Sequence, residues 1–198
     1  MNVAMRRRVP GRMTVDEFIA WCDDGTQGKW QLVDGEPVLM SPAAVWHGRI
    51  QARLAALLDV HLEARGGSCV VLTEPAIRPR LRAEINLRVP DLAVTCERLQ
   101  SGQIPLAEPV VIIEVLSPSN EPDTWDNVWT YASIPSVREI LVVHSTRVLA
   151  ERLWRQDDGG WVENPGRIAT GEPVELTSIG FRCDLASIYR GTPLVEAA

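Results

Sequence analysis

Two carboxylates interrupt apolar segments of this sequence. Asp91 follows Pro90 in VPDLAVT, and Glu114 stands in the middle of VVIIEVLS. A carboxylate buried in such a run costs several kcal/mol unless it is paired, protonated or bound to a cation. Pro90 lacks a backbone donor, so Asp91 is predicted at a strand edge or bulge. On neighbouring strands the two acids would face one another, and two charges ~4 Å apart repel by ~4 kcal/mol at an effective dielectric of ~20. A hard divalent cation removes that repulsion, and carboxylate and water ligands suit Mg2+, with Mn2+ as a substitute. The same residues admit a plainer reading, in which each acid pairs with one of the many arginines, and composition does not choose between the two.

The elements that must position these residues can be read in order. Thr14 with Glu17 three residues later is a capping-box pattern, and it predicts a helix from Val15 to about Cys22. In WQLVDGEPVLM two short apolar runs flank Asp34-Gly35, a hairpin signal. Ile50, Leu54, Leu57, Leu58 and Leu62 recur at helical spacing, and Gly66-Gly67 ends that long helix. CVVLTE, INLRVPDLAVT, PVVIIEVLS and REILVVHS read as strands, the last two apolar on both faces as central strands are. A second helix is predicted from Asp123 to Ala132, a hairpin over Asp157 to Gly160, and a short helix in CDLASIYR. This order implies an α/β fold of the α+β kind, a mixed sheet with flanking helices rather than a strict βαβ repeat. No glycine-rich phosphate loop of the GxGxxG or GxxxxGK[ST] type is present.

Length and composition set the outer limits. The 198 residues fit one domain over residues 13–198, preceded by a basic extension over residues 1–12 that reads as disordered. No apolar run approaches the roughly 18 residues of a membrane span, and no apolar stretch follows the N-terminal arginines as an export signal requires. A cytoplasmic protein is the expectation. The four cysteines form no CxxC pair, so a zinc site has little support, and Cys69 and Cys96 read as small core residues. The net charge of −6 argues against a protein that grips nucleic acid over its whole surface, but allows a local basic face. Arg78, Arg80, Arg82 and Arg88 crowd the segment before Asp91, where phosphate contact and a solvated loop are both open. Trp125 and Trp129 lie four apart on the second helix and share a face, the usual pattern of a core or of a homodimer interface.

A PD dipeptide, a gap, and a glutamate inside a buried strand resemble the PD-(D/E)xK nuclease superfamily. More closely, WQLVDGEPVLMSP, His47, VPDLAVT, VVIIEVLSPSN, Asp123, Tyr131 and IPSVREILVV resemble a bacterial restriction endonuclease family abundant in cyanobacteria and long catalogued as a domain of unknown function. The resemblance implies a restriction-endonuclease-like core and a Mg2+-dependent site that hydrolyses DNA phosphodiesters, leaving a 3′-hydroxyl and a 5′-phosphate. It implies Asp91 and Glu114 as metal ligands, and His47 beside the site at the start of the long helix; a purely packing role for His47 is the alternative.

Three positions depart from the family pattern. Gln31 stands where a glutamate is usual and brings a carbonyl without a charge. The superfamily lysine, two residues after the strand glutamate, is Leu116. The family's displaced lysine, four residues after the aspartate matched by Asp123, is Asn127, and the only lysine in the sequence is Lys29. Loss of one preorganised donor costs on the order of 10²- to 10³-fold in rate. Two functions therefore stand side by side: a DNA endonuclease using Asp91, Glu114, Asn127, Gln31 and His47, and a catalytically inactive interaction module that keeps the scaffold.

Overall fold

The computed structural model describes residues 11–118 and 121–196. Most of the N-terminal extension, residues 1–10, lies outside the described residues. Helix α1 (Val15–Asp23) opens with the capping box: the Glu17 amide donates to Thr14 Oγ1 at 3.3 Å, and the Thr14 amide donates to Glu17 Oε2 at 2.7 Å. Strands β1 (Trp30–Val33) and β2 (Glu36–Leu39) form the hairpin. Asp34 and Gly35 both have positive φ, 49° and 85°, the backbone a two-residue turn between right-twisted strands demands. Helix α2 (Val45–Arg65) buries His47, Ile50, Leu54, Leu58 and Leu62 along one face.

The centre is a six-stranded mixed sheet. Its order is β3 (Val70–Thr73), β4 (Leu92–Thr95), β5 (Pro109–Leu116), β6 (Glu139–His144), β7 (Leu149–Trp154) and β8 (Gly166–Ala169). Only β5 and β6 run parallel, and the crossover between them carries helix α3 (Glu121–Tyr131), as parallel neighbours require. Alternation along β5 divides its side chains between two cores. Val111, Ile113 and Val115 join the cluster under α2, whereas Ile112 and Leu116 join the cluster with Val128 and Tyr131 of α3. Glu114 has the parity of the α3 side. The tail adds β9 (Pro173–Leu176) and β10 (Phe181–Asp184) as a separate ribbon, followed by α4 (Leu185–Ile188) and α5 (Pro193–Glu196). Among the described residues no helix is long and apolar enough to cross a membrane.

Several expectations change. Cys69 and Cys96 are joined in a disulfide rather than packed as independent core residues. The β3–β4 register, Val70 opposite Thr95, places them directly across from one another when extended by one step. INLRVPDLAVT is not one strand: β4 begins at Leu92, and upstream only Leu87 and Arg88 make isolated bridges, to Leu32 and Ile77. After Gly160 the chain returns by a single bridge, Trp161 to Arg155, and β8 supplies the true partner of β7. Trp125 packs against the α3-side core while Trp129 is half exposed, so the two do not form one buried face.

Candidate active site

Extending the antiparallel β4–β5 register from Leu92–Ile113 by one step sets Asp91 opposite Glu114. Residues so opposed have Cβ atoms about 4.5–5.5 Å apart. Asp91 lies just outside β4, where Pro90 has interrupted the ladder, and its carboxylate does the pairing that its backbone does not. One oxygen accepts from the Val115 amide of β5 at 2.7 Å, and the other meets His47 Nε2 of α2 at 2.8 Å. The Asp91 carbonyl accepts from Gln51 Nε2 at 3.0 Å and from the Glu74 amide at 3.0 Å. The aspartate is thus fixed from the sheet, from α2 and from the segment after β3. A carboxylate offers about four lone-pair positions, so two remain for another partner.

Glu114 is held differently. It is buried, and its Oε1 has no hydrogen-bond partner. Burial first, and then the charge of Asp91, push its carboxyl well above the usual carboxylate range. The Tyr131 hydroxyl of α3 stands beside it, also buried and without a closed hydrogen bond; burial and the Glu114 charge push that phenol upward too. An unpartnered carboxylate oxygen beside a second acid is a donor arrangement that a divalent cation would fit. Among the described residues no three His, Cys, Asp or Glu side chains gather into a metal cage. The donor set is therefore two carboxylates, which suits Mg2+ or Mn2+ completed by water and substrate phosphate rather than zinc.

This arrangement has a stability consequence in metal-free protein. Glu114 binds its proton more tightly folded than unfolded, where its pKa is about 4.3. Its contribution to stability is then complete below that pH and is lost as pH rises through the raised folded value, at about 1.4 kcal/mol per unit of difference. In EDTA, Glu114→Gln is expected to melt higher than wild type near neutrality, and the gap is expected to widen with rising pH. Thermal melts from about pH 4 to 8 check this; a gap that stays constant or narrows contradicts it.

The other expected residues occupy distinct places. His47, in the first turn of α2, bridges Asp91 and Ser117 Oγ, the latter at 3.4 Å from Nδ1. Asn127 is half-buried on α3, one turn before Tyr131 and so on the same side of the helix. Gln31 lies in β1 with a buried, unpartnered Oε1, and no hydrogen bond joins it to either acid. Leu116, at the superfamily's lysine position, is buried in the α3-side core. Lys29 is ion-paired to Glu74, the residue whose amide holds the Asp91 carbonyl. The basic patch before Asp91 separates: Arg78 pairs with Asp16 at 3.0 Å and Arg82 with Asp34 at 2.7 Å, Arg80 is exposed, and Arg88 is buried. Sequence reasoning missed Tyr131 as a site residue, although its place four residues after Asn127 was a usable signal.

Comparison with known proteins agrees with this fold. A crystal structure described as "a putative nuclease belonging to DUF820" from Anabaena variabilis superposes with a TM-score of 0.71 at 14% identity, over 89% of this chain and 97% of that one. The "Uncharacterized protein slr1290" of Synechocystis is 29% identical over 182 residues, which is 91% of this chain and 93% of its own. The family Uma2, described as "Putative restriction endonuclease", matches residues 15–186, the span that carries α1, the paired acids, α3 and the closing ribbon. By that match across most of its length, the chain belongs to the Uma2 family.

Proposed function

We propose that this protein is a metal-dependent DNA endonuclease whose cation is held by Asp91 and Glu114. The observation that carries the reading is the pair itself: a buried glutamate with an orphaned oxygen, directly across the sheet from an aspartate already clamped by His47 and the Val115 amide. When bound, Mg2+ would act as a Lewis acid on the phosphate and lower the pKa of water. The chain's own residues do the rest. His47 and the Val115 amide fix both Asp91 oxygens, so that ligand needs little reorganisation on binding. Burial and the Asp91 charge strengthen the hold of the Glu114 carboxyl on its proton, which lessens the repulsion between the two acids in metal-free protein. Tyr131 walls Glu114 off from solvent on the α3 side. Gln31 contributes a neutral carbonyl at most, and Asn127 a neutral donor near the same wall.

The test is nicking of supercoiled plasmid DNA with Mg2+, Mn2+ or EDTA, followed by end analysis. Metal-dependent cleavage leaving 5′-phosphate and 3′-hydroxyl ends supports the reading; metal-independent cleavage overturns it. The second reading, an inactive interaction module, is favoured by Leu116 and Asn127 at the two lysine positions. It predicts Mn2+ binding without cleavage of any DNA offered. A cytoplasmic location fits a DNA partner.

A further inference from the structure

The unusual cation of this molecule is Arg88. It lies three residues before Asp91 and is 7% exposed. Its backbone is pinned by a two-way bridge to Ile77, whose side chain packs in the same cluster as Tyr131 and Val128 of α3. That places the residue on the Glu114 side of the sheet, between the segment leading to Asp91 and the face of α3. Its titratable neighbours are Tyr131, Asp34 and Asp126. Yet its guanidinium makes no hydrogen bond or ion pair among the described residues, and its Nε is buried without a partner. Arg78, whose Nε is likewise buried without a partner, is tied to Asp16 through a terminal nitrogen, and Arg82 is tied to Asp34; Arg88 has no such ion pair. Asp34, in the turn between β1 and β2, is engaged with Arg82 and Asn86.

A buried guanidinium without an acceptor is costly, because burial disfavours its charge and no carboxylate repays the lost hydration. An anion bound at the guanidinium would repay that cost. Arg presents a planar fork of donors matched to the oxygens of a phosphate. The site described above requires a positive charge that neither Leu116 nor Asn127 supplies. Lys29, the only lysine, is already neutralised by Glu74.

We propose that Arg88 is the phosphate-contacting cation of this site, binding a backbone phosphodiester of the nucleic acid beside the Asp91–Glu114 pair and replacing the missing lysine. The inference rests on the nuclease reading. It adds the residue that receives the phosphate, and Tyr131, which feels both the Glu114 charge and the Arg88 guanidinium, stands next to both groups.

The test compares wild type with Arg88→Met and Arg88→Lys by three measurements: Mn2+ calorimetry, anisotropy of a labelled 20-base-pair duplex over a range of salt, and single-turnover nicking. Arg88→Met should leave the Mn2+ isotherm unchanged. It should weaken duplex binding about tenfold and reduce the slope of log K against log salt by about 0.9, the loss of one phosphate contact. Nicking should slow on the order of 10²-fold. Arg88→Lys should restore the salt slope, because the charge returns. Because the methionine removes an uncompensated buried charge, its Tm should equal or exceed that of wild type; a purely structural arginine would lower it. If Arg88→Met keeps wild-type salt slope and nicking while Mn2+ still binds, or melts well below wild type, the inference is overturned and the metal reading stands. If wild type binds no Mn2+ and shows no metal-dependent cleavage, the nuclease reading falls and takes the inference with it.

Discussion

Alanine at both Asp91 and Glu114 is expected to abolish Mn2+ binding and to reduce metal-dependent nicking by at least about 10³-fold, while the protein remains folded. The magnitude follows from what the pair does. A bound cation supplies several kcal/mol of charge stabilisation, and each 1.36 kcal/mol is a factor of ten in rate, so about 4 kcal/mol gives roughly 10³. The persistence of the fold follows from the same geometry. Asp91 sits outside the β4 ladder, and Glu114 is a buried carboxylate facing a like charge, with an oxygen that bonds to nothing. Removing Glu114 relieves a penalty. Removing Asp91 leaves the Val115 amide and the His47 ring without their acceptor, which costs ~1–3 kcal/mol for the buried amide and offsets part of that relief. The double variant should therefore melt near wild type in EDTA, and unlike wild type it should gain nothing from added Mn2+. Identical Mn2+ isotherms for the two proteins would remove the metal from these residues altogether.

The acids were legible in the sequence because they broke an apolar pattern, and the hairpin and both long helices were legible because their periodicity and caps agreed. What escaped had weak local signals. GRIA and PVEL, the strands β8 and β9, are four residues each and half polar, and they acquire strand geometry only from pairing with β7 and β10. The Cys69–Cys96 bridge joins residues 27 apart, and only the β3–β4 register reveals that they are opposed. Arg88 looked like one member of a basic run. Its distinction from Arg78 and Arg82 is a matter of which aspartates lie within reach, and that is fixed by the tertiary fold. In the sequence Tyr131 is only a position that carries the family resemblance, and the parity of Glu114 in β5 is what sets it beside the acid.

Asn127 and Arg88 are expected to be coupled in a double-mutant cycle. If Arg88 has assumed the role of the displaced lysine, Asn127→Lys should raise nicking only modestly in wild type, because the phosphate already has its cation. In the Arg88→Met background the same substitution should recover on the order of 10²- to 10³-fold, the value of one preorganised charged contact. Helix α3 should accept the change. Residue 127 is half-buried, lysine forms helix more readily than asparagine, and its stem can lie along the apolar surface while the ammonium reaches the opening. One competitor must be controlled. Asp123 lies one turn earlier on the same helix, and an Asp-to-Lys pair at this spacing is worth about 0.3–0.5 kcal/mol, too little to hold the ammonium against a phosphate but enough to raise the melting temperature slightly. Adding Asp123→Ala should therefore leave the rescue intact. Glu114→Ala should erase it in every background, since a cation at the phosphate cannot replace the metal ligand. Equal gains from Asn127→Lys in wild type and in Arg88→Met would mean that the two residues act independently, and the lysine role would then belong to position 127 alone.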